Sequence, residues 1–145
     1  FLGLRGLWTI SVRLERHMKT GIELASWLAA RDEVDRVLHP ALPDDPGHAL
    51  WKRDFKGSCG LFGLILKDVR KEAVDAMLDS LSLYGMGASW GGFESLILPT
   101  NPGAYRTASK WEAAGPSLRI HVGLEDIDDL KADLEQGFAA LKANA

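Results

Sequence analysis

In the segment Leu118-Arg119-Ile120-His121-Val122, apolar residues alternate with a guanidinium and an imidazole. Successive side chains of an extended strand point to opposite faces, so Leu118, Ile120 and Val122 share one face and Arg119 and His121 the other. A guanidinium flanked by apolar strand residues needs water or an anion, and its planar fork suits a carboxylate held in bidentate fashion. The same alternation also fits an arginine on a solvent-washed sheet face, and His121 alone fits a hydrogen-bonded structural histidine. The second candidate is the glycine-rich stretch Gly85-Met86-Gly87-Ala88-Ser89-Trp90-Gly91-Gly92. A dinucleotide fingerprint would need glycine where Trp90 stands and a helix afterwards, whereas Phe93 to Leu98 reads as extended, so nucleotide binding is rejected. What remains is a flexible bend that could present the Ser89 hydroxyl and the Trp90 indole to a ligand. A tight turn around a buried tryptophan is the alternative.

Other reactive residue types carry less. His17, His39, His48, His121 and Cys59 show no metal-ligand spacing, so no metal site is assigned. Asp44, Asp45 and His48 sit among prolines and read as a solvated turn. Glu94 and Ser95 could hold the shape of the glycine-rich bend, and Trp51 and Phe55 read as core anchors. The run Glu125, Asp126, Asp128 and Asp129 lacks the glycine and spacing of a calcium loop and is better explained by helix capping. A net charge of −3 offers no basic stripe for phosphates, which argues against nucleic acid as a partner. Every apolar run is broken by charge before the roughly 18 residues of a membrane span. One cysteine allows no internal disulfide, which suits a reducing cytoplasm. With 46% hydrophobic and 26% charged residues, the chain has the balance of one folded domain with a working core. It opens on Phe1-Leu2-Gly3-Leu4-Arg5-Gly6, which reads as the middle of something longer.

The elements that must position Arg119 and the bend follow from periodicity. Leu7, Ile10, Leu14, Met18, Ile22, Ala25, Leu28 and Ala29 recur at helical spacing, predicting one long amphipathic helix from about Leu7 to Ala30, with Gly21 as its weak point. A helix of that length is natural as a connector, so residues 1–30 are assigned as an interdomain helix and 31–145 as a small domain. Val34–Leu38 reads as a strand, Pro40–Gly47 as a loop, His48–Phe55 as a short helix and Leu61–Leu66 as a buried strand. Asp68 is placed as the cap of a helix running to about Asp79, and Leu81–Tyr84 and Ser95–Leu98 as strands flanking the glycine-rich bend. Pro99–Ala114 is irregular, Leu118–Val122 is a strand, and Asp126 caps a final helix carrying Ile127, Leu130, Leu134, Phe138 and Leu141. Together these predict an α/β sandwich, a small mixed or antiparallel sheet with helices packed on one face.

The stretches Gly85-Met86-Gly87-Ala88-Ser89-Trp90-Gly91-Gly92-Phe93-Glu94-Ser95-Leu96 and Leu118-Arg119-Ile120-His121-Val122-Gly123-Leu124-Glu125-Asp126 resemble the carboxyl-terminal motifs of the enzymes of cysteine and methionine metabolism that use pyridoxal 5'-phosphate (PLP). Arg5-Gly6-Leu7-Trp8-Thr9, Val37-Leu38-His39-Pro40, Pro46-Gly47-His48 and Trp51-Lys52-Arg53-Asp54-Phe55-Lys56-Gly57 look like the bacterial cystathionine β-lyases of that family. The resemblance implies the carboxyl-terminal domain of a fold-type-I PLP enzyme, a carbon–sulfur lyase that converts cystathionine to homocysteine, pyruvate and ammonia. It implies that Arg119 pairs with the substrate α-carboxylate and that Ser89 helps position the cofactor lysine and substrate. Trp90 beside them is similar to the β-lyases, whereas γ-synthases and γ-lyases usually carry leucine there. Ala88 departs from the bulkier aromatic residue often found before the serine in β-lyases. The resemblance also implies a homotetramer when full length, and a cofactor lysine in a larger amino-terminal domain. None of the eight lysines here sits in the Ser/Thr-rich setting of that lysine, so this chain is expected to hold no cofactor-binding residues and to be inactive alone. Other members of the family, a γ-lyase, a γ-synthase or a cysteine desulfhydrase, and a non-catalytic α/β binding module are the competing readings.

Overall fold

A computed structural model describes residues 1–145. The elements run α1 (Leu2–Trp8), α2 (Ile10–Ala29), β1 (Val34–Leu38), α3 (His48–Asp54), β2 (Leu61–Leu66), α4 (Lys71–Asp79), β3 (Gly85–Met86), β4 (Leu96–Thr100), a single 3-10 turn (Pro102–Ala104), β5 (Ser117–His121) and α5 (Ile127–Ala143). The strands make one mixed sheet in the order β1-β2-β5-β4-β3. Only the β3–β4 pair is parallel, the other three pairs being antiparallel. This is the α/β sandwich expected from the sequence.

Strand β5 is central, and its alternation is the one the sequence predicts. Leu118, Ile120 and Val122 join Phe62, Leu64 and Leu66 of β2, Ile97 of β4 and the apolar faces of α2, α4 and α5 in one buried cluster of 21 residues. Arg119 and His121 point to the opposite face, paired across the ladder with Gly63 and Leu61 of β2 and with Leu98 and Leu96 of β4. No helix is long and apolar enough to cross a membrane.

The long amino-terminal helix is divided. α1 ends at Trp8 and α2 begins at Ile10, with Thr9 off helical geometry at φ −114° and ψ 8°. At the break Arg13 Nη1 donates to the Gly6 carbonyl at 3.0 Å and to Thr9 Oγ1 at 2.5 Å, satisfying an acceptor that a continuous helix would pair with the Ile10 amide. Gly21, expected to be the weak point, is helical and buried. A Cβ there would meet the Cys59 carbonyl at 3.2 Å and Gly60 Cα at 3.4 Å, so glycine lets the helix lie close to the chain entering β2. The apolar stripe is used unevenly. Leu24, Ala25 and Leu28 are fully buried, whereas Leu7, Ile10 and Leu14 remain exposed.

Three further expectations are corrected. Asp68 does not cap α4, whose N-cap is Arg70 with no side-chain bond. Phe55 is 66% exposed and anchors nothing, while Trp51 is half-buried and donates through Nε1 to the Gly57 carbonyl at 3.1 Å. Leu81–Tyr84 is not a strand, and the strand before the bend is only Gly85–Met86. Asp133 explains this. Buried on α5, its carboxylate accepts the backbone amides of Ser82 at 2.8 Å, Leu83 at 2.9 Å and Tyr84 at 3.3 Å, so those donors are satisfied outside any ladder. Asp126 caps α5 as expected, accepting the Asp128 amide at 2.9 Å.

Replacing Asp133 by alanine strands three amides at once. Asp133→Ala is expected to lower unfolding stability by about 3 kcal/mol, and Asp133→Asn by less, in chemical denaturation followed by circular dichroism. A loss below about 0.5 kcal/mol for the alanine variant would show that the segment finds other acceptors.

Candidate functional site

The glycine-rich bend, residues 87–95, folds back over the polar face of β5. Its return is locked by a clamp that begins at Glu125. One carboxylate oxygen accepts the Ser95 amide at 2.7 Å and the other the Ser95 hydroxyl at 2.8 Å, while the Gly123 amide donates to Ser95 Oγ at 2.8 Å. The Leu124 amide adds a bond to the Phe93 carbonyl at 2.8 Å. Gly123 is required by the close approach, because a Cβ there would overlap the Phe93 carbonyl and the Glu125 carboxylate. The apex turns at Gly91, whose φ of +79° lies in the left-handed region that disfavours a side chain. Its amide donates to His121 Nε2 at 3.1 Å.

Under this bend lies Arg119. Its guanidinium is half-buried, with Nη2 donating to the carbonyls of Gly87 and Ser89, each at 3.5 Å, and Cζ 5.6 Å from the centroid of the Trp90 ring. Both bonds are at the long limit for a hydrogen bond and both leave from Nη2, so Nε and Nη1 have no protein acceptor. Every ion pair of the chain is made by other residues, so no carboxylate neutralises it. The nearest acid in sequence, Glu125, is committed to Ser95. A partly desolvated cation with free, planar donors is poised for an anion, and a carboxylate fits its fork.

The structure thus brings Arg119, Ser89 and Trp90 together, although not all through their side chains. Ser89 meets Arg119 by its carbonyl, and its hydroxyl makes no bond within the chain. Trp90 is 62% exposed, which disposes of the buried-tryptophan alternative. His121 is buried and hydrogen-bonded, as the structural reading of that residue had it. Its ring packs edge-on against buried His17 of α2, with centroids 5.3 Å apart at an interplanar angle of 90°. Burial is the main cause that lowers both imidazole pKa values. For His17 the neighbouring His121 and Arg13 act in the same direction, and for His121 Arg119 does; the Gly92 carbonyl and, after it, Glu125 oppose the shift at both rings.

Glu125 as the clamp on the bend was missed in the sequence, where it reads as one more acid before a helix. Its partner Ser95 lies 30 residues away, and only the fold reveals the pair. Glu94, proposed with Ser95 to hold the bend, is exposed and makes no such bond. Asp45 and His48 serve their own loop, Asp45 accepting the Gly47 amide at 2.7 Å and His48 Nδ1 lying 3.0 Å from the Pro40 carbonyl.

The residues present do not fit a covalent PLP site. Seven lysines are exposed, and the half-buried Lys131 pairs with Glu23 at 2.7 Å. None is an amine made nucleophilic by a dry pocket.

Comparison with known proteins places these features in context. The sequence model for "Cys/Met metabolism PLP-dependent enzyme" matches residues 1–139. Cystathionine beta-lyase of Salmonella typhimurium is 48% identical over 97% of this chain, and the match spans only 37% of that relative's length. The L-alanine/L-glutamate racemase of Wolbachia pipientis is 41% identical over 97% of the chain and 36% of its own length. Among solved structures, the cystathionine gamma synthase from Xanthomonas oryzae pv. oryzae in complex with cystathionine superposes with a TM-score of 0.85 at 33% identity, covering all of this chain and 38% of that one. With its fold, its bend and its sequence all aligned to one group of proteins, the chain belongs to the PLP-dependent enzymes of cysteine and methionine metabolism.

Proposed function

We propose that this chain is the substrate-recognition lobe of a PLP-dependent carbon–sulfur lyase that acts on cystathionine to give homocysteine, pyruvate and ammonia. The observation that carries the reading is the Arg119 guanidinium, half-buried, unpaired with any carboxylate, and set beneath the bend of Ser89 and Trp90. An α-amino acid brings a carboxylate of the size and shape that this fork accepts. Two parallel N–H···O bonds fix the plane of that carboxylate and the axis of its bond to Cα, so that one further contact to the amino acid sets the direction of Cα–H. Ser89 Oγ, free of internal bonds, can then meet either the substrate or a lysine of another part of the protein. Trp90 lies against the guanidinium and offers an exposed indole to the rest of the substrate.

The match spans little more than a third of the relatives' length, so the cofactor and the lysine that holds it are assigned to the remainder of a longer protein. PLP there supplies the electron sink for the bond-breaking step. Residues 1–30 are assigned as the connection to that remainder. The exposed Leu4, Leu7, Trp8, Ile10 and Leu14 provide an apolar surface suited to packing against it. A homotetramer built through the larger part completes the proposal.

The racemase relative favours a second reading of the chemistry alone. Carboxylate recognition by Arg119 would serve racemisation equally well, because both reactions begin at the Cα of an amino acid. Trp90 supports the β-lyase reading over γ-lyase and γ-synthase by resemblance. Incubating the full-length enzyme with cystathionine is expected to release pyruvate and homocysteine. Release of 2-oxobutyrate and cysteine would point instead to γ-elimination, and interconversion of alanine enantiomers without lyase activity to a racemase.

The role of Arg119 has its own test. In the full-length enzyme Arg119→Ala is expected to lower kcat/KM by ~2–4 kcal/mol, about 30-fold to several hundredfold, the scale of a lost charge-assisted pair. Arg119→Lys keeps the charge without the fork and should fall between. An alanine variant with unchanged kcat/KM would remove the assigned role.

A further inference from the structure

Apart from the long bonds of Arg119, the bend is tied to the sheet at two places, and the second is unlike the first. Glu125 and Ser95 secure its return by charge-assisted bonds, whereas at the apex, next to Ser89 and Trp90, the Gly91 amide makes a neutral contact to His121 Nε2 at 3.1 Å, shorter than the two 3.5 Å bonds from Arg119. The Gly92 carbonyl lies 3.4 Å from the same nitrogen. One ring nitrogen cannot serve both. Without a proton, Nε2 accepts from Gly91; with one, it can only donate, and the Gly92 carbonyl is the acceptor within reach.

We propose that His121 is a positioning residue for the substrate bend, its unprotonated Nε2 holding Gly91 so that Ser89 and Trp90 stay over Arg119, and that a proton on this nitrogen exchanges Gly91 for Gly92 and shifts the apex. The inference rests on the reading of the bend as the substrate site. His121 touches neither the Ser89 hydroxyl nor the carboxylate fork and acts through the backbone.

The surroundings disfavour a charged ring. Half-buried Leu61 and Leu96 flank His121 across the ladder, and buried His17 of α2 packs edge-on beside it. Two buried nitrogens, His17 Nε2 and His121 Nδ1, have no hydrogen-bond partner, so a charge on either ring would be poorly solvated. Arg119 on the same strand and Arg13 on α2 add positive charge nearby; the Gly92 carbonyl and Glu125 act the other way, but burial outweighs them and both rings are held below the ordinary histidine value. A folded-state histidine value below the usual one means that the neutral form is the one folding favours. Above a value that lies below the ordinary histidine range near about 6.5, the tautomer with its proton on Nδ1 accepts from Gly91; as pH falls through that value the ring gains a second proton on Nε2 and the Gly91 bond is lost. His17 ties this to the connecting helix: any shift of α2 moves the ring against which His121 is packed.

Three variants of the full-length holoenzyme separate this role from simple space-filling. His121→Phe keeps a ring and removes the acceptor, His121→Gln keeps an acceptor that does not titrate, and His17→Phe removes the second titrating ring. Hydrogen–deuterium exchange of the peptide spanning residues 85–95 reads the bend directly, and kcat/KM against pH reads its consequence. His121→Phe is expected to speed exchange in that peptide and to lower kcat/KM by about tenfold to a hundredfold, the scale of a misplaced catalytic geometry. His121→Gln should restore both to within about threefold of the parent and abolish the acid limb that His17→Phe retains. Unchanged exchange in His121→Phe overturns the proposal whatever the activity does. A glutamine variant as impaired as the phenylalanine one, or one that keeps the acid limb, overturns it in favour of a packing role. Faster exchange with undiminished kcat/KM overturns it by another route, since the bend would then be loosened without consequence and the site reading itself would fail.

Discussion

A cation on the central strand of a sheet, half out of water and without a counter-ion, is an unfavourable arrangement that the fold must tolerate for a reason other than stability. Arg119 is in that position, and much of the nearby polar structure is arranged so as to leave it there. Glu125, six residues along, is the nearest acid in sequence, and it makes no ion pair with Arg119. It is instead spent on the Ser95 amide and hydroxyl, which in turn hold the Gly123 amide. The carbonyls of Gly87 and Ser89 approach Nη2 only to the outer limit of hydrogen bonding. They orient the guanidinium without saturating it. The same bonds that shape the bend therefore also keep the fork open.

This arrangement depends on glycine in two places for different reasons. Gly91 supplies a backbone angle that a side chain resists, and so allows the apex to turn its amide toward His121. Gly123 supplies absence of bulk, allowing the returning chain at Phe93 and Glu94 to lie against the end of β5. Between them the bend can be long enough to carry Ser89 and Trp90 and still be anchored at both ends.

How much of this was legible beforehand depended on the range of the interaction. Period-two alternation placed Arg119 and His121 together and opposite Leu118, Ile120 and Val122, because strand geometry is local. The strands Val34–Leu38 and Leu61–Leu66 and the Asp126 cap were equally local and were found where expected. What escaped was set by partners distant in sequence. Leu81–Tyr84 has the composition of a strand, but Asp133, about fifty residues later, takes its amides. The break at Thr9 is bridged by a side-chain bond of Arg13 that no periodicity registers, and the Glu125–Ser95 clamp is made by two unremarkable polar residues. Family resemblance drew attention to Ser89 and Arg119, but it could not say that Ser89 meets Arg119 by its carbonyl rather than its hydroxyl.

The two faces of β5 divide the labour of the domain. On one, Leu118, Ile120 and Val122 are packed against the helices, and a substitution there changes the free energy of folding. On the other, Arg119 contributes little to cohesion, since its protein contacts are two long bonds and an aromatic face. Removing its charge should relieve a desolvation penalty rather than incur one, so an alanine there is expected to fold at least as well as the parent while losing recognition of an anion. Stability and recognition can then be altered independently on alternate residues of one strand. That separation is what the proposed role of Arg119 requires of a site laid onto a scaffold that does not need it to stand.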